Sequence, residues 1–203
     1  MTGPAAREDV QHLRARSCAI VTGVESIIHD DSALTVRIDG EQAKCRQALR
    51  VILDTHGRCP KTAQALEDDV ARTVIVRGES TVDKSSEQAS LFEKNDDGRS
   101  TETWFLPERQ GRIDLYCLLR RLADEGCNEV LVETGATLAG AFVASGFTDE
   151  MIVYMAAKLM GSSARPLYDL PINKMASSLP LTIEDIRAVG RDWRITARPD
   201  PDG

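Results

Sequence analysis

Short apolar runs separated by polar turns are the main pattern along this chain. The runs Cys18–Thr22, Leu49–Leu53 and Thr73–Arg77 are rich in β-branched residues and are followed by glycine or aspartate, which predicts buried strands. Ala5–Arg16 and Asp114–Glu125 instead place apolar residues at helical spacing. Strands that alternate with helices predict an α/β fold built on a largely parallel sheet.

The last part of the chain follows a different pattern. Leu179–Val189 and Asp192–Ala197 are separated by a two-residue turn, which is typical of an antiparallel hairpin. The sequence therefore predicts a mixed, mostly parallel sheet with a C-terminal antiparallel hairpin. We predict one domain over residues 1–198, with a polar surface excursion at 78–103 and a frayed tail at 199–203.

One strand-to-helix junction carries candidate chemistry. The apolar run Glu129–Val132 leads into Glu133, Thr134 and Gly135, and small helix-forming residues follow. The first N–H groups of a helix have no partner within the helix, so they attract an anion. Glu133 ends the strand where open α/β sheets place their ligands. The same pattern also fits an ordinary turn with a solvated glutamate, and periodicity does not separate the two interpretations.

Composition and charge exclude several classes of function. The 203 residues include 25 Lys+Arg and 32 Asp+Glu, and the net charge of −7 argues against general binding of nucleic acids or acidic membranes. An aromatic content of 4% argues against a base-stacking platform. No signal peptide opens the chain and no apolar run approaches about 18 residues, so we predict a cytoplasmic protein without a membrane span.

The cysteines predict neither disulfides nor a metal site. Their number is odd, no pair has C-x-x-C spacing, and the histidines do not complete a zinc pattern. The sequence therefore predicts thiols in a reducing cytosol. The cysteines are Cys18, Cys45, Cys59, Cys117 and Cys127.

Several segments together resemble one known family. They are Arg7–Ala15, Ala19–Gly23, Asp30–Arg37, Arg50–Asp54, Val132–Gly140 and Asp149–Gly161. In this order and spacing they resemble the reductase domain of the bifunctional riboflavin-biosynthesis deaminase–reductase family. The resemblance covers nearly the whole chain and implies a dihydrofolate-reductase-like, three-layer α/β fold.

The resemblance also implies a reaction. The family's activity is NADPH-dependent reduction of 5-amino-6-(5-phosphoribosylamino)uracil, in which a hydride reaches C1′ of the ribosyl group and opens the sugar to a ribityl chain. The resemblance also implies a homodimer. It implies that the small molecule bound by the protein is this phosphoribosylaminopyrimidine substrate. Two alternatives stay open: an idle remnant that serves as a nucleotide-binding or dimerisation module, and a related reductase with another substrate.

By motif position, the resemblance assigns residues to two ligands. Those assigned to NADPH are Ser26, Asp30, Thr55, Gly135, Ala136, Thr137, Leu138, Ala139, Gly140 and Ala141. Those assigned to the substrate are Arg14, Leu34, Arg37 and Glu133, with the arginines suited to its 5′-phosphate. No catalytic residue is assigned firmly, and each assigned residue also has a plain reading as a solvated charge, a turn former or a core residue.

One departure from the family pattern concerns the start of the domain. The family's reductase domain opens with a strand of the type Lys-x-Ala-x-Ser-Leu-Asp-Gly, which does not occur before the Thr2-Gly3-Pro4 segment of this sequence. The zinc-binding deaminase half of the family is also absent. We therefore expect an N-terminally truncated fragment of a multifunctional enzyme that lacks the first strand of its sheet, and this expectation motivates the idle-remnant alternative.

Overall fold

The computed structural model describes residues 2–38, 46–81, 101–161 and 163–200. The chain forms two compact units. Leu13–Gly135 is called the parallel-sheet unit below, and Met1–His12 together with Ala136–Gly203 is called the antiparallel-sheet unit. Helix α1 (Pro4–Arg16) contributes residues to both.

The parallel-sheet unit contains most of the strand–helix alternation predicted from the sequence. Its elements in chain order are β1 (Ala19–Gly23), α2 (Val24–Asp30), β2 (Leu49–Leu53), α3 (Gln64–Glu67), β3 (Thr73–Gly78), β4 (Thr101–Leu106), the ribbon β5 (Glu108–Arg109) and β6 (Arg112–Ile113), α4 (Leu115–Asp124) and β7 (Val130–Val132). Five of the strands form a sheet in the order β4-β3-β2-β1-β7, and every neighbouring pair is parallel.

Burial explains why the central strands read as continuous apolar runs. Every residue of β2 is buried, and in β1 only the last residue is partly exposed. Parallel strands covered on both faces cannot alternate apolar and polar side chains as a half-exposed strand does. A core cluster that includes Ile20, Ile27 and Ile52 packs this sheet against α2.

Helix α4 shows how local sequence fixes an element. The Asp114 carboxylate accepts hydrogen bonds from the N–H groups of Tyr116 and Cys117, so the first turn is capped. Leu118 and Leu122 lie on its buried face. The helix ends before Gly126, which has a φ of +79° that glycine adopts without strain.

The antiparallel-sheet unit contains α5 (Ala136–Ala144), β8 (Met151–Met155), β9 (Leu181–Val189) and β10 (Asp192–Pro199). Its three-stranded sheet has the order β8-β10-β9 with antiparallel pairs. The beginning of α1 is attached to the hairpin, because the Gly3 N–H donates to the Asp192 carboxylate at 2.5 Å.

The predicted class is confirmed: parallel strands precede a C-terminal antiparallel hairpin in a dihydrofolate-reductase-like α/β fold. Within the described residues the parallel and antiparallel strands lie in separate sheets rather than in one mixed sheet, and β10 lies between β8 and β9. The ladder in which β10 pairs with β9 contains a bulge between Thr196 and Ala197, which increases its twist.

The structure describes only parts of the predicted surface excursion at 78–103 and of the predicted tail at 199–203. Strand β4 begins at Thr101, inside the predicted excursion 78–103, while residues 82–100 lie outside the described residues. Strand β10 continues through Pro199, and the Asp200 N–H donates to the Pro180 carbonyl, so the start of the predicted tail is held. Residues 201–203 are outside the described part.

Among the helices of the described residues, none combines the length and the apolar content needed to cross a bilayer.

Candidate active site

A loop after α2 is held by side chains instead of by a sheet. Residues 33–36 are called the anchored loop. Arg50 donates to the carbonyl of the residue before Leu34, and Arg14 donates to the carbonyl of the residue after it, each at 3.0 Å. The Gln47 amide both accepts from and donates to the backbone of Val36. These bonds satisfy backbone groups that would otherwise be buried without partners.

Leu34 lies between these anchors in an unusual conformation. Its φ of 52° falls in the left-handed region, which costs a side chain other than glycine some energy. The side chain is 3% exposed and packs in the core cluster with Ile27 and Ile52. The leucine predicted to contact a substrate is therefore anchored inward, and the exposed neighbour on the same segment is Arg37.

Arg14 and Glu133, both predicted to contact a substrate, contact each other. Arg14 Nε donates to Glu133 Oε2 at 2.8 Å, and Nη2 donates to Oε1 at 2.6 Å. The Arg14 side chain is 10% exposed and that of Glu133 is 35% exposed. A two-pronged guanidinium–carboxylate pair of this kind fixes the position and orientation of the carboxylate. Glu133 thus presents an oriented anion at the end of β7.

The carboxyl ends of the parallel strands form one edge of the sheet. Asp54 follows β2 at this edge, is fully buried, and accepts hydrogen bonds from the N–H groups of Arg58 and Cys59 at 2.8 Å. Both carboxylate oxygens therefore shape the loop that carries Thr55. This edge is where open parallel sheets bind their ligands.

The loop after β2 also perturbs a thiol. Burial and the charge of Asp54 raise the pKa of Cys59 to about 11, because both disfavour the thiolate. Cys59 is therefore a neutral thiol at neutral pH, and it does not supply a nucleophile to this edge.

The remaining residues predicted for a cofactor in the parallel-sheet unit lie on α2 and on the loop after β2. Ser26 and Thr55 are half-buried, and Asp30 is exposed at the last position of α2. The neighbouring Asp31, with φ 44°, is the residue that fastens this end of α2, because its carboxylate accepts from the backbone and side-chain amides of Gln64.

The turn after Glu133 begins with a second contact to the sheet. The Thr134 hydroxyl accepts a hydrogen bond from the Gly23 N–H at 3.2 Å, which ties the turn to the end of β1. Gly135 follows, and a Cβ built there meets no atom within 4 Å. Open space at this glycine is what the close approach of a ligand phosphate requires.

Helix α5 begins at Ala136, directly after this turn in the chain. The predicted cofactor residues Ala136, Thr137, Leu138 and Ala139 form its first turn, where N–H groups have no helical partner. The next predicted residues are Gly140 and Ala141.

Gly140 differs from Gly135 in its surroundings. A Cβ built at Gly140 would lie 2.1 Å from the Asp169 carbonyl oxygen, and the Asp169 N–H donates to the Ala136 carbonyl. Asp169 therefore packs against the second turn of α5 through its backbone. Packing against Asp169 is sufficient to require glycine at position 140. The cofactor contact of Gly140 stays a prediction.

The arrangement is suited to binding and orienting a ligand. Among the described residues there is no group of three or more His, Cys, Asp or Glu side chains that could hold a metal ion. The carboxyl edge of the parallel-sheet unit offers the oriented Glu133 carboxylate and open space at Gly135. Such groups can position a polar ligand, and a redox step would require a bound cofactor.

Sequence reasoning missed the residues that hold this site together. Arg50 is 0% exposed, yet the sequence shows it only as one charge within an apolar run. A charged residue inside a strand buried on both faces is the signal that could have singled it out, because an unpaired charge there would be costly. Gln47 and the buried role of Asp54 carry no comparable signal in sequence.

The chain is similar to proteins of one known family. The family described as RibD C-terminal domain matches residues 1–195. The chain is 37% identical to the riboflavin biosynthesis protein RibD of Escherichia coli (strain K12), an alignment that covers 95% of this chain and 52% of that protein. It is 27% identical to a 5-amino-6-(5-phosphoribosylamino)uracil reductase of Buchnera aphidicola subsp. Acyrthosiphon pisum, covering 98% of this chain and 95% of that protein.

A solved structure of the same family has a similar fold. Acinetobacter baumannii RibD, form 1, has a TM-score of 0.78 at 34% identity, over 98% of this chain and 51% of that one. The chain thus spans about half the length of several relatives that it matches.

Proposed function

This chain belongs to the RibD C-terminal domain family, and from that premise we propose that it reduces the ribosyl group of 5-amino-6-(5-phosphoribosylamino)uracil to a ribityl chain with NADPH. The observation that carries the proposal is the Glu133 carboxylate, held by Arg14 at the end of a parallel strand, two residues before Gly135. The Buchnera relative of similar length, named as this reductase, supports the substrate.

The reaction needs positioning more than covalent help. C1′ of the ribosyl group gains a hydride, the bond from C1′ to the ring oxygen breaks, and that oxygen takes a proton to become a hydroxyl. Bound NADPH supplies the hydride. The protein contributes by holding two ligands in register and by keeping their phosphates in fixed places.

The residues at the turn after Glu133 fit a dinucleotide. Gly135 has room for a phosphate oxygen, and the N–H groups of Ala136 and Thr137 begin a helix whose positive end favours an anion. Ser26, Asp30 and Thr55 are the further cofactor contacts that we propose.

We propose different roles in substrate binding for Arg14 and Arg37. Arg14 already uses Nε, Nη1 and Nη2 within the protein, so we propose that it acts on the substrate by orienting Glu133 and the backbone around Leu34. Arg37 is exposed on the same segment, and we propose that it meets the 5′-phosphate through a charge-assisted pair. Glu133 then accepts a hydrogen bond from the substrate near the reacting carbon.

The direct test is turnover by this chain. We expect loss of NADPH absorbance that requires the substrate, with a ribityl product identified by mass spectrometry, and slower loss with NADH. Arg37→Met should raise the KM for the substrate, whereas Arg16→Met, an exposed ion-paired arginine of α1, should leave it unchanged. NADPH binding by calorimetry without turnover would support the nucleotide-binding module instead. Absence of both binding and turnover would contradict the proposal.

We also propose that the chain forms a homodimer through the antiparallel sheet. Met155 and Trp193 are cross-strand partners, as are Ile195 and Ile186, and alternation places all four on one face. Met155 is 50% exposed, Trp193 44% and Ile186 54%. An apolar patch of this kind on a sheet supports a protein contact, and a two-fold dimer would cover the same patch on both copies.

Light scattering after size exclusion tests the dimer. The unaltered chain should have twice the monomer mass, and Ile186→Glu should shift it to the monomer because a buried unpaired charge opposes association. Val70→Glu is the matched control, since Val70 is also an exposed apolar residue, at 38%, but lies in the parallel-sheet unit. A monomeric unaltered chain, or a dimer that survives Ile186→Glu, would contradict this interface.

We further propose that the protein is cytoplasmic. Cys18, Cys59, Cys117 and Cys127 are free thiols, and unpaired thiols of this number are typical of a reducing compartment. Fractionation of cells that produce the chain from its natural gene would test this location, and recovery outside the cytoplasm would contradict it.

A further inference from the structure

One arginine at the carboxyl edge of the parallel sheet lacks a partner. Arg77 is the next-to-last residue of β3, and its side chain is partly buried. Its Nε atom is shielded from solvent and makes no hydrogen bond. In the part of the chain that the structure describes, its guanidinium forms neither an ion pair nor a hydrogen bond. A buried donor without an acceptor is costly, so this position favours a bound acceptor.

The Arg77 guanidinium lies against the loop that follows β2. A Cβ built at Gly57 would lie 3.7 Å from Arg77 Cζ and 3.8 Å from Nε. The Gly78 N–H donates to the Thr55 carbonyl at 3.2 Å, which joins the end of β3 to the same loop. Arg77 is therefore adjacent to the loop that carries Thr55, a residue that we propose contacts the cofactor.

Carboxylates of the neighbouring segments are bound to other groups. Asp54 accepts from two backbone N–H groups of its own loop at 2.8 Å. Glu108 accepts from the backbone N–H and the hydroxyl of Ser80. Neither carboxylate forms an ion pair with Arg77. The positive charge of Arg77 is thus available to an anionic ligand at the edge where parallel sheets bind their ligands.

The position of Arg77 along this edge separates it from the turn at Gly135. Strands β7, β1, β2 and β3 are neighbours in that order, so three strand spacings, or about 14 Å, lie between β7 and β3. A phosphate held at Gly135 and a phosphate held at Arg77 are therefore different groups of one ligand. NADPH carries two such groups, its pyrophosphate and the phosphate on its adenosine ribose, whereas NADH carries only the pyrophosphate.

We propose that Arg77 binds the 2′-phosphate of NADPH and is the residue that makes this chain prefer NADPH to NADH. This role rests on the proposed function, which brings a nicotinamide dinucleotide to this edge of the sheet. A phosphate monoester is largely a dianion at neutral pH, and a guanidinium offers it several donors in a fixed plane.

Calorimetry tests this role without relying on turnover. Arg77→Met should weaken NADPH binding by about tenfold to hundredfold while changing NADH binding by less than about twofold. 2′-AMP carries the same phosphate without a nicotinamide, so the unaltered chain should bind it more tightly than 5′-AMP, and Arg77→Met should abolish that difference. Arg77→Lys keeps the charge without the planar fork and should have an intermediate effect.

Two controls separate recognition of the phosphate from general charge and from folding. Arg109→Met removes the same charge from an exposed residue of β5 and should leave the ratio of NADPH to NADH affinity unchanged. Because Arg77 has no partner that its loss would leave unpaired, Arg77→Met should keep or raise the urea midpoint. A structural arginine would instead lower that midpoint when replaced.

Specific outcomes would overturn this role for Arg77. They are an unchanged ratio of NADPH to NADH affinity in Arg77→Met, equal binding of 2′-AMP and 5′-AMP by the unaltered chain, and binding of neither. Equal weakening of both cofactors with a lower urea midpoint would make Arg77 structural. Turnover with no preference between the cofactors would remove this role and leave the reductase proposal standing. Binding of 2′-AMP that depends on Arg77, in a chain that does not oxidise NADPH, would do the reverse.

Discussion

Strand β2 of the parallel sheet and strand β9 of the antiparallel sheet differ sharply in burial. In the parallel sheet, β2 is buried along its whole length, and even the charged Arg50 within it is 0% exposed. In the antiparallel sheet, β9 is exposed along nearly all of its length. Buried polar groups of the parallel sheet therefore fix the backbone around the candidate site, whereas the antiparallel sheet buries much of its central strand β10 and leaves the edge strand β9 exposed.

The largest effect should come from removing the buried arginine. Arg50 forms an ion pair with Asp68 and hydrogen bonds to several backbone carbonyls, among them one in the anchored loop. Arg50→Met leaves those carbonyls and the Asp68 charge without their partner, so we expect the free energy of unfolding to fall by about 3–5 kcal/mol. Urea denaturation followed by circular dichroism measures this.

The matched control lies in the antiparallel sheet. Arg198 pairs with Glu184 there, and its side chain is 58% exposed. Arg198→Met should cost about 0–1 kcal/mol, because solvent screens an exposed pair. Equal losses for Arg50→Met and Arg198→Met would contradict the contrast between the sheets.

Arg50 also shows where sequence reasoning stops. The apolar runs predict the central strands because burial on both faces leaves a continuous pattern, and the comparisons confirm the family inferred from the motifs. The sequence does not show which carbonyls lack partners in the folded chain. Arg50 and Arg14 donate to backbone carbonyls of the loop around Leu34 that have no partner in a sheet. Which carbonyls need such a donor depends on the folded structure, so no spacing rule predicts these hydrogen bonds.

A smaller but functionally sharper effect is expected at the carboxyl edge of the parallel sheet. Glu133→Gln keeps the shape of the side chain but removes its charge, which leaves the Arg14 guanidinium without a counter-ion. We expect a loss of about 2–3 kcal/mol in stability and a fall of about tenfold to hundredfold in kcat/KM for NADPH oxidation.

Glu129→Gln provides the control for Glu133→Gln. Glu129 pairs with Arg16, and their side chains are 46% and 52% exposed, so the same substitution should change stability and turnover little. If both variants had the same activity, the ion pair between Arg14 and Glu133 would have no special role in the site.

Gly135 and Gly140, the two glycines predicted to contact the cofactor, should separate packing from the ligand binding that we propose. Gly140→Ala places a Cβ 2.1 Å from the Asp169 carbonyl oxygen, so backbone must move, and we expect a cost of about 1–3 kcal/mol. Gly135→Ala meets no atom within 4 Å, so stability should change by less than about 0.5 kcal/mol while NADPH affinity falls. Thermal unfolding and calorimetry measure the two quantities.

The reverse pattern would be informative. A Gly140→Ala variant that is stable but binds NADPH poorly would indicate that the ligand approaches the second turn of α5 instead. A destabilising Gly135→Ala would contradict the open space at that glycine. The sequence does not distinguish the two glycines, because a motif shows that a small residue is present but not which neighbouring atoms require it. Asp169 is far from Gly140 in the chain, and only the fold brings its backbone there.

The smallest effect concerns pH and the antiparallel-sheet unit. Burial alone would raise the pKa of Asp9, but the Tyr154 hydrogen bond and the Arg194 charge outweigh it and hold the pKa below its usual value of 3.8. Asp9 therefore adds stability that is complete above the unfolded pKa and is lost as pH falls through the lower, folded pKa. Asp9→Asn should flatten the acid limb of urea midpoints measured between about pH 5 and pH 2.5. Because Arg72 likewise lowers the pKa of Glu102 in the parallel-sheet unit, Glu102→Gln should flatten the same limb independently. An acid limb unchanged by Asp9→Asn would show that the antiparallel-sheet unit draws no stability from this carboxylate.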